Sequence, residues 1–588
     1  MDKNSTDQFF KDKVLGHPSG LFVLFFTEMW ERFSYYGMRA ILVIFLTGSL
    51  LGENPGWDWS TSAALSLLGT YAMLVYLTPL MGGWLADNKI GYRRAVVIGA
   101  LLMTIGHASM AIETPTFLYI GIGFLIIGNG FFKPNMTSII SKMYEGHDEK
   151  KDGAYNMFYM GVNAGAFLGI MICGWVGEKI GWSFGFGLAG IFMLLGMIQF
   201  YYAQPLFGNL GDKPVKIDKS KEANKALKTN ESVVKLNHFL TIDYLVMGVF
   251  IVSALIFIIN DPLSKIGHIE TFNFTVLGMT DSLFFALLAA ISFIVLLLIR
   301  IPRYVKIERD RMIAFAIFCL FTVFFWAAFE QAAGSLPLYT RDFTNRVLEG
   351  NAAIVFKIID LIVTIVPLGI ITYVLISLFR KTFNRIGLSN IVLGISFVIV
   401  WVIVLYKLYI EFQSTETEIP VTWFAILNSL YIIIFAPLFT KWWDSKYNPP
   451  ASVKYFLGLA LLGLGFGFLA FGAMHVPHGA KTASLSIAWL VFAYLFHTLG
   501  ELCLSPMGLS YLSKLVPARM VAFMFGVYYL AIAIGNKLAH YVGGDIEAIT
   551  AEYGLSTFFL IFTIIPIVLG VISLMLHPLL KKLMHGVR

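Results

Sequence analysis

Apolar runs long enough to cross a bilayer recur along this chain from about residue 20 to residue 577, separated mostly by short polar connections. One membrane-spanning helix needs about 20 consecutive apolar residues, and the sequence reads as sixteen such runs. Only 13% of the 588 residues are charged and 57% are hydrophobic, whereas a soluble protein carries about 25% charged residues. That deficit excludes a soluble enzyme, a nucleic-acid binder and a disordered scaffold. The expected architecture is an all-α polytopic membrane protein.

Residues 1–19 are polar and lack the apolar core and small-residue cleavage site of a signal peptide, so the first run is expected to persist as a spanning helix. The basic residues test the count independently. Of 43 Lys and Arg, 32 fall in the N-terminal segment, the alternate connections and the C-terminal tail. Only five (Lys179, Lys265, Arg341, Arg346 and Lys481) fall in the connections between them. One miscounted run would invert every later connection and erase that asymmetry. Both termini are therefore expected to be cytoplasmic, and the net charge of +7 is a topology signal. Of the remaining basic residues, Lys407 and Lys537 read as near-interface groups. Lys357 and Asp360 make the run at 352–379 the least secure. The cysteines at 173, 319 and 503 sit in apolar stretches, which argues against a disulfide framework.

The first run carries a polar stripe. Glu28, Glu31, Arg32, Tyr35 and Arg39 recur at helical spacing in an otherwise apolar segment. Charges at bilayer depth cost roughly 2.5–3.5 kcal/mol each, so these residues are expected to face a cavity. There carboxylates exchange protons and guanidinium groups hold anions bidentately. Other runs add Lys133 beside Pro134, Glu330, and Glu501 with Ser505 and Pro506. Four intramembrane acids (Glu28, Glu31, Glu330, Glu501) against three bases (Arg32, Arg39, Lys133) leave one acid that would most readily hold a proton. Gly121, Gly123, Gly128 and Gly130 follow no strand, and read as close helix packing rather than a nucleotide loop. His107, His497 and His540 show no metal-ligand spacing, and no connection is long enough for an ATPase domain.

The Glu-x-x-Glu-Arg-Phe-x-Tyr-Tyr stripe at 28–36 resembles the hallmark of the proton-dependent oligopeptide transporter family of the major facilitator superfamily. Gly82–Asp87 followed by Gly91–Arg94 is similar to the superfamily's loop motif. Phe131–Asn135 resembles the family's fourth-helix motif, and Tyr155–Gly165 its fifth-helix signature. The resemblance implies that Arg32 and Lys133 hold a peptide carboxylate, with Arg39 and Tyr36 nearby. Glu501 would hold the peptide ammonium, helped by Asn163 and Asn428, with Ser505 on the same helix. Tyr76 would reach the peptide backbone. Glu28, Glu31 and Arg32 would form the proton-coupling group, and Glu330 would pair with Arg39 as an outer gate. A tryptophan usual in the eleventh core helix is Tyr528 here, and Gly69 stands where animal relatives carry a histidine, so coupling would rest on carboxylates.

The implied fold is two six-helix bundles, 20–205 and 312–349 with 412–577. A lysine-rich cytoplasmic loop (206–240) and an inserted hairpin (241–300), as in bacterial members, would lie between them. The eighth core helix is best matched by Trp423–Ser429, which leaves 350–411 as a second inserted hairpin. Segments 1–19 and 578–588 would be cytoplasmic. The implied activity is proton-coupled import of di- and tripeptides by alternating access in a bacterial inner membrane. It would use the proton gradient, with no cofactor, no metal and no nucleic-acid partner. Two alternatives stand at this point: a proton-coupled antiporter of drugs or other small molecules, and an intramembrane enzyme. The opposed Lys133 and Glu501 favour a zwitterion over a lipophilic cation. An enzyme would need a nucleophile–base pair or metal cluster, and the runs contain neither pattern.

Overall fold

The computed structural model of the protein describes residues 7–213, 237–269, 271–272, 274–276, 279–516 and 521–587, without the side chains of 148, 505–514 and 521–523. Most of the lysine-rich loop at 206–240 lies outside the described residues. The chain runs α1 (Ser19–Leu46), α2 (Thr61–Leu85), α3 (Tyr92–Met110), α4 (Pro115–Met143), α5 (Asp148–Lys179), α6 (Trp182–Ala203), α7 (Thr241–Gly267), α8 (Asp281–Arg300), α9 (Lys306–Phe329), α10 (Ser335–Phe343), α11 (Gly350–Gln413), α12 (Trp423–Trp443), α13 (Ala451–Gly472), α14 (Ile487–Leu515), α15 (Val521–Gly543), α16 (Ile546–Tyr553), α17 (Leu555–Met575) and α18 (His577–Leu583). Twelve helices among the described residues are long and apolar enough to cross a membrane. Helices dominate because a bilayer offers no water to satisfy backbone groups. Extended structure among the described residues is confined to three two-residue antiparallel ladders and one isolated bridge. Several helices start on sequence-encoded caps: Ser60 accepts the Ala63 N–H, and Thr114 caps α4 with Pro115 in its first turn.

α1 is buried almost all round and lies against α5 and α6. Small residues set that approach. A Cβ on Gly169 would fall 2.7 Å from the Phe33 Cα, and one on Gly165 would fall 2.9 Å from the Arg32 Cβ. The α4 glycines do the same against α3. A Cβ on Gly128 or Gly121 would fall 2.7 Å from the Gly99 or Gly106 carbonyl oxygen. In the second half of the chain α13 packs on α14 and α17, and α9 packs on α15. α2 and α15 lie against each other across the two halves.

Only 17% of the most apolar part of α7 and of α8 is buried inside the protein, against 78% for α5, so this hairpin is peripheral. α11 breaks at Ile386 (φ −134°, ψ 45°) into two antiparallel limbs. Trp401 Nε1 donates to Thr372 Oγ1 at 3.1 Å, and Asn390 Nδ2 to Thr382 Oγ1 at 3.0 Å, across the break. Although it follows α10 in sequence, this hairpin packs on the first half. The Phe397 ring lies 5.7 Å from Phe26 and 5.6 Å from Trp30, and Ser389 Oγ donates to the Gln199 carbonyl.

Two expectations are corrected, and one stretch is more broken than the sequence shows. Within 312–349 the helix ends at Phe329, turns through Glu330–Ala332 and restarts at Ser335. There the Gln331 side chain bonds the Ala539 carbonyl at 2.6 Å and accepts from Ser335 Oγ. Lys407 and Lys537, read as near-interface groups, are enclosed by protein. They are 4% and 3% exposed and pair with Asp360 and Asp261, respectively.

Candidate functional site

The polar stripe on α1 folds into one compact network. Arg32 Nε lies 2.9 Å from Glu28 Oε1 and 2.8 Å from Glu31 Oε2. Asn129 of α4 donates to Glu31 Oε1 at 3.3 Å. One guanidinium thus serves two carboxylates. Glu28 Oε2 is buried and accepts no hydrogen bond among the described residues, and a buried acceptor without a donor is costly.

Two turns along α1, Arg39 pairs with Glu330 at the start of the turn after α9. The Tyr35 ring lies between the two guanidinium groups, 5.6 Å from Arg32 Cζ and 5.9 Å from Arg39 Cζ. Lys133, one turn beyond Asn129 on α4, places its ammonium 4.4 Å above the Tyr76 ring of α2. Tyr76 in turn lies 6.3 Å from Tyr529 of α15, so α2 links the lysine to the second half.

The negative pole sits on α14. Glu501 Oε2 accepts from Asn428 Nδ2 of α12 at 2.9 Å, and Asn428 also donates to Thr498 Oγ1 at 3.1 Å. Neither Lys133 nor Glu501 has an ion-pair partner among the described residues. Both are partly exposed, as are Tyr36, Tyr76 and Asn428. A cation in the first half and an anion in the second therefore remain open to a ligand. Glu28, Glu31 and Glu330 already have arginine partners.

One expected contact, Asn163 to Glu501, is not made. Asn163 Nδ2 donates to the Tyr159 carbonyl of its own helix at 2.9 Å and makes no bond to Glu501. The Ser505 side chain lies outside the described residues. Sequence reasoning gave Asn129 no role, though its position four residues before Lys133 on a helix was a usable signal. It also passed over Glu178, whose carboxylate accepts the Val421 N–H at 2.7 Å, the Thr422 N–H at 2.9 Å and the Thr422 hydroxyl at 2.7 Å. The space at Gly69 is filled by His540 of α15, whose Cβ would lie 2.8 Å from an added methyl group. An apolar groove of about 420 Å³ between α11, α12 and α14 lies away from these charges, so volume does not mark the site.

The model of the POT family matches residues 93–407 and 402–559. An uncharacterized transporter of Bacillus subtilis, YclF, is 32% identical over 97% of this chain and 96% of its own length. A di-/tripeptide transporter of Lactococcus lactis subsp. cremoris is 27% identical over 100% of this chain and 99% of its own. The crystal structure of a peptide transporter POT in complex with sulfate superposes with a TM-score of 0.70 at 28% identity, covering 100% of both chains. The family match covers most of the chain, and the relatives match it from end to end: the chain belongs to the POT family.

Proposed function

We propose that this protein is a symporter that imports di- and tripeptides with protons across a bacterial cytoplasmic membrane by alternating access. The observation that carries the reading is the division of unpaired charge: Lys133 in the first half, Glu501 in the second. A zwitterionic peptide has one carboxylate and one ammonium, and matches those poles. Arg32 supports the positive pole, with Tyr36 and Arg39 beside it on α1. Asn428 holds Glu501, Tyr76 reaches the peptide backbone, and Asn163 and Ser505 flank the site. Glu28, Glu31 and Arg32 form the proton-coupling group, and Arg39–Glu330 closes the outer side.

The spanning count supports this arrangement. The two limbs of α11 count separately, and α1, α3 and α15 span despite their polar residues. On this reading there are sixteen spans with both termini inside, in two six-helix bundles with two inserted hairpins. No cofactor enters, because the driving force is the proton gradient. One proton crossing ~150 mV supplies roughly 3.5 kcal/mol, at about 2.3 kcal/mol per 100 mV. That sustains accumulation on the order of a few hundredfold.

The test is proton movement in proteoliposomes with a pH-sensitive dye inside. Adding dipeptide outside should acidify the lumen. Peptide entry without acidification would overturn proton coupling, and no peptide entry would overturn the transport reading.

A further inference from the structure

Asp261 and Lys537 form a buried ion pair that none of the assigned roles uses. Asp261 lies on α7, the first limb of the peripheral hairpin, and is 0% exposed; Lys537 lies on α15. The Lys537 ammonium pairs with Asp261 Oδ2 and also donates to Thr70 Oγ1 at 2.8 Å and the Ser66 carbonyl at 3.4 Å. Ser66 Oγ donates to the same carboxylate oxygen at 2.5 Å, and Lys265 lies 3.2 Å from the other. Ser66 and Thr70 belong to α2, and α7 packs on α2. Every one of these partners of Lys537 therefore sits on the first half and its hairpin. Lys537 reaches them from the second half, and the ring of Tyr541 on the same helix lies 4.4 Å from the Lys265 ammonium.

This pair mirrors Arg39–Glu330 with the polarity reversed. There the first half supplies the cation and the second the anion; here the hairpin beside the first half supplies the anion. The two pairs are joined at one level of the molecule, since Gln331, next to Glu330, bonds the Ala539 carbonyl two residues beyond Lys537. Apolar side chains would hold α2 against α15 without desolvating charges. A buried pair is worth its desolvation where it must be made and broken, because it discriminates sharply between closed and open arrangements.

We propose that Asp261–Lys537 is a second outer latch of the transport cycle, and that the α7–α8 hairpin supplies its acid. Asp261 is then a positioning residue acting through Lys537. The inference rests on the alternating-access reading, which places this level on the outer side. When α2 and α15 part there, Lys537 leaves Asp261, Ser66 and Thr70 together.

The test uses the full chain in liposomes with Ser62→Cys and Gly544→Cys. An added Cβ at Gly544 would lie 3.3 Å from the Ser62 Cα, so oxidative crosslinking of this pair reports outer closure. Asp261→Asn and Lys537→Met should each cut the crosslinked fraction several-fold: the first leaves the buried Lys537 ammonium without its carboxylate, and the second leaves Asp261 with Lys265 as its remaining cation and no tie to α15. The double variant should recover most of the loss. Parent-level crosslinking in both single variants, or additive losses in the double variant, would overturn the latch. Should a single variant fail to fold, Ser66→Ala keeps both charges and weakens the same carboxylate. Lower crosslinking is then expected, and no change would overturn the latch. Crosslinking needs no peptide, so its outcome is separate from that of the transport assay.

Discussion

Glu178 and Thr422 meet across the two halves of the chain: the carboxylate at the end of α5 accepts the backbone N–H and the hydroxyl of the residue that precedes α12. Thr422 makes no side-chain cap of its own, so the first half of the protein caps a helix of the second. A negative charge at a helix N-terminus also meets the positive end of the helix dipole. α12 carries Asn428, the donor to Glu501, so closing this contact orders the helix that holds the negative pole.

Glu178→Ala should lower stability by about 0.5–2 kcal/mol, the usual worth of an N-cap. Glu178→Gln, which still accepts one of the donors, should lose less. Thermal unfolding in detergent distinguishes them. Equal midpoints for parent and Glu178→Ala would show that the cap contributes nothing.

Beside this cap, in the connection before α12, Glu418 pairs with Lys179 and Arg346. Burial alone would raise its pKa. Lys179 and Arg346 outweigh that and hold the carboxyl below its ordinary value of 4.5. A depressed folded-state pKa means the pairing stabilises the protein above the unfolded value, and the gain is lost as pH falls through the folded one. Parent and Glu418→Gln should therefore differ in thermal midpoint above the ordinary value of 4.5 and converge as pH falls well below it. A constant difference across that range would contradict the assignment.

Lys407 and Asp360 hold the two limbs of α11 together, and Asp360 also accepts from Trp423 Nε1 at 2.8 Å. Lys407→Met leaves a buried carboxylate without its main cation, a loss of about 3–5 kcal/mol. Adding Asp360→Asn should restore much of it. Membrane-inserted yield and unfolding midpoint report both; a milder single than double variant would refute the pairing argument.

The α1 stripe was legible because its charges share one helix, and helical spacing alone puts Glu28 next to Arg32. The all-helical, membrane-spanning character was legible because apolar runs of spanning length recur along the chain. Pairings between distant segments were not. Lys537 and Asp261 lie 276 residues apart, and no local pattern ties an acid in one run to a lysine in another. Asn163 shows the reverse: the resemblance sets it beside Glu501, and in this fold its amide bonds the Tyr159 carbonyl of its own helix. The break at Glu330 comes from tertiary bonds of Gln331, which no local pattern encodes.

Lys133→Ala should abolish proton-driven uptake, because the ammonium is the unpaired cation beside the Glu28–Glu31–Arg32 group. Uptake of labelled dipeptide under an imposed pH gradient is the readout. Normal concentrative uptake by the variant would remove Lys133 from the mechanism.

The most direct measurement compares competition by matched free and N-acetylated dipeptides in the parent and in Glu501→Gln. A charge-assisted hydrogen bond is worth roughly 1.5–3 kcal/mol, so the free dipeptide should lose about 10- to 150-fold in affinity on substitution. The acetylated dipeptide, which has no ammonium, should bind weakly to both forms and lose far less. Equal losses for the two ligands would contradict the central claim that Glu501 is the pole that reads the peptide's amino terminus.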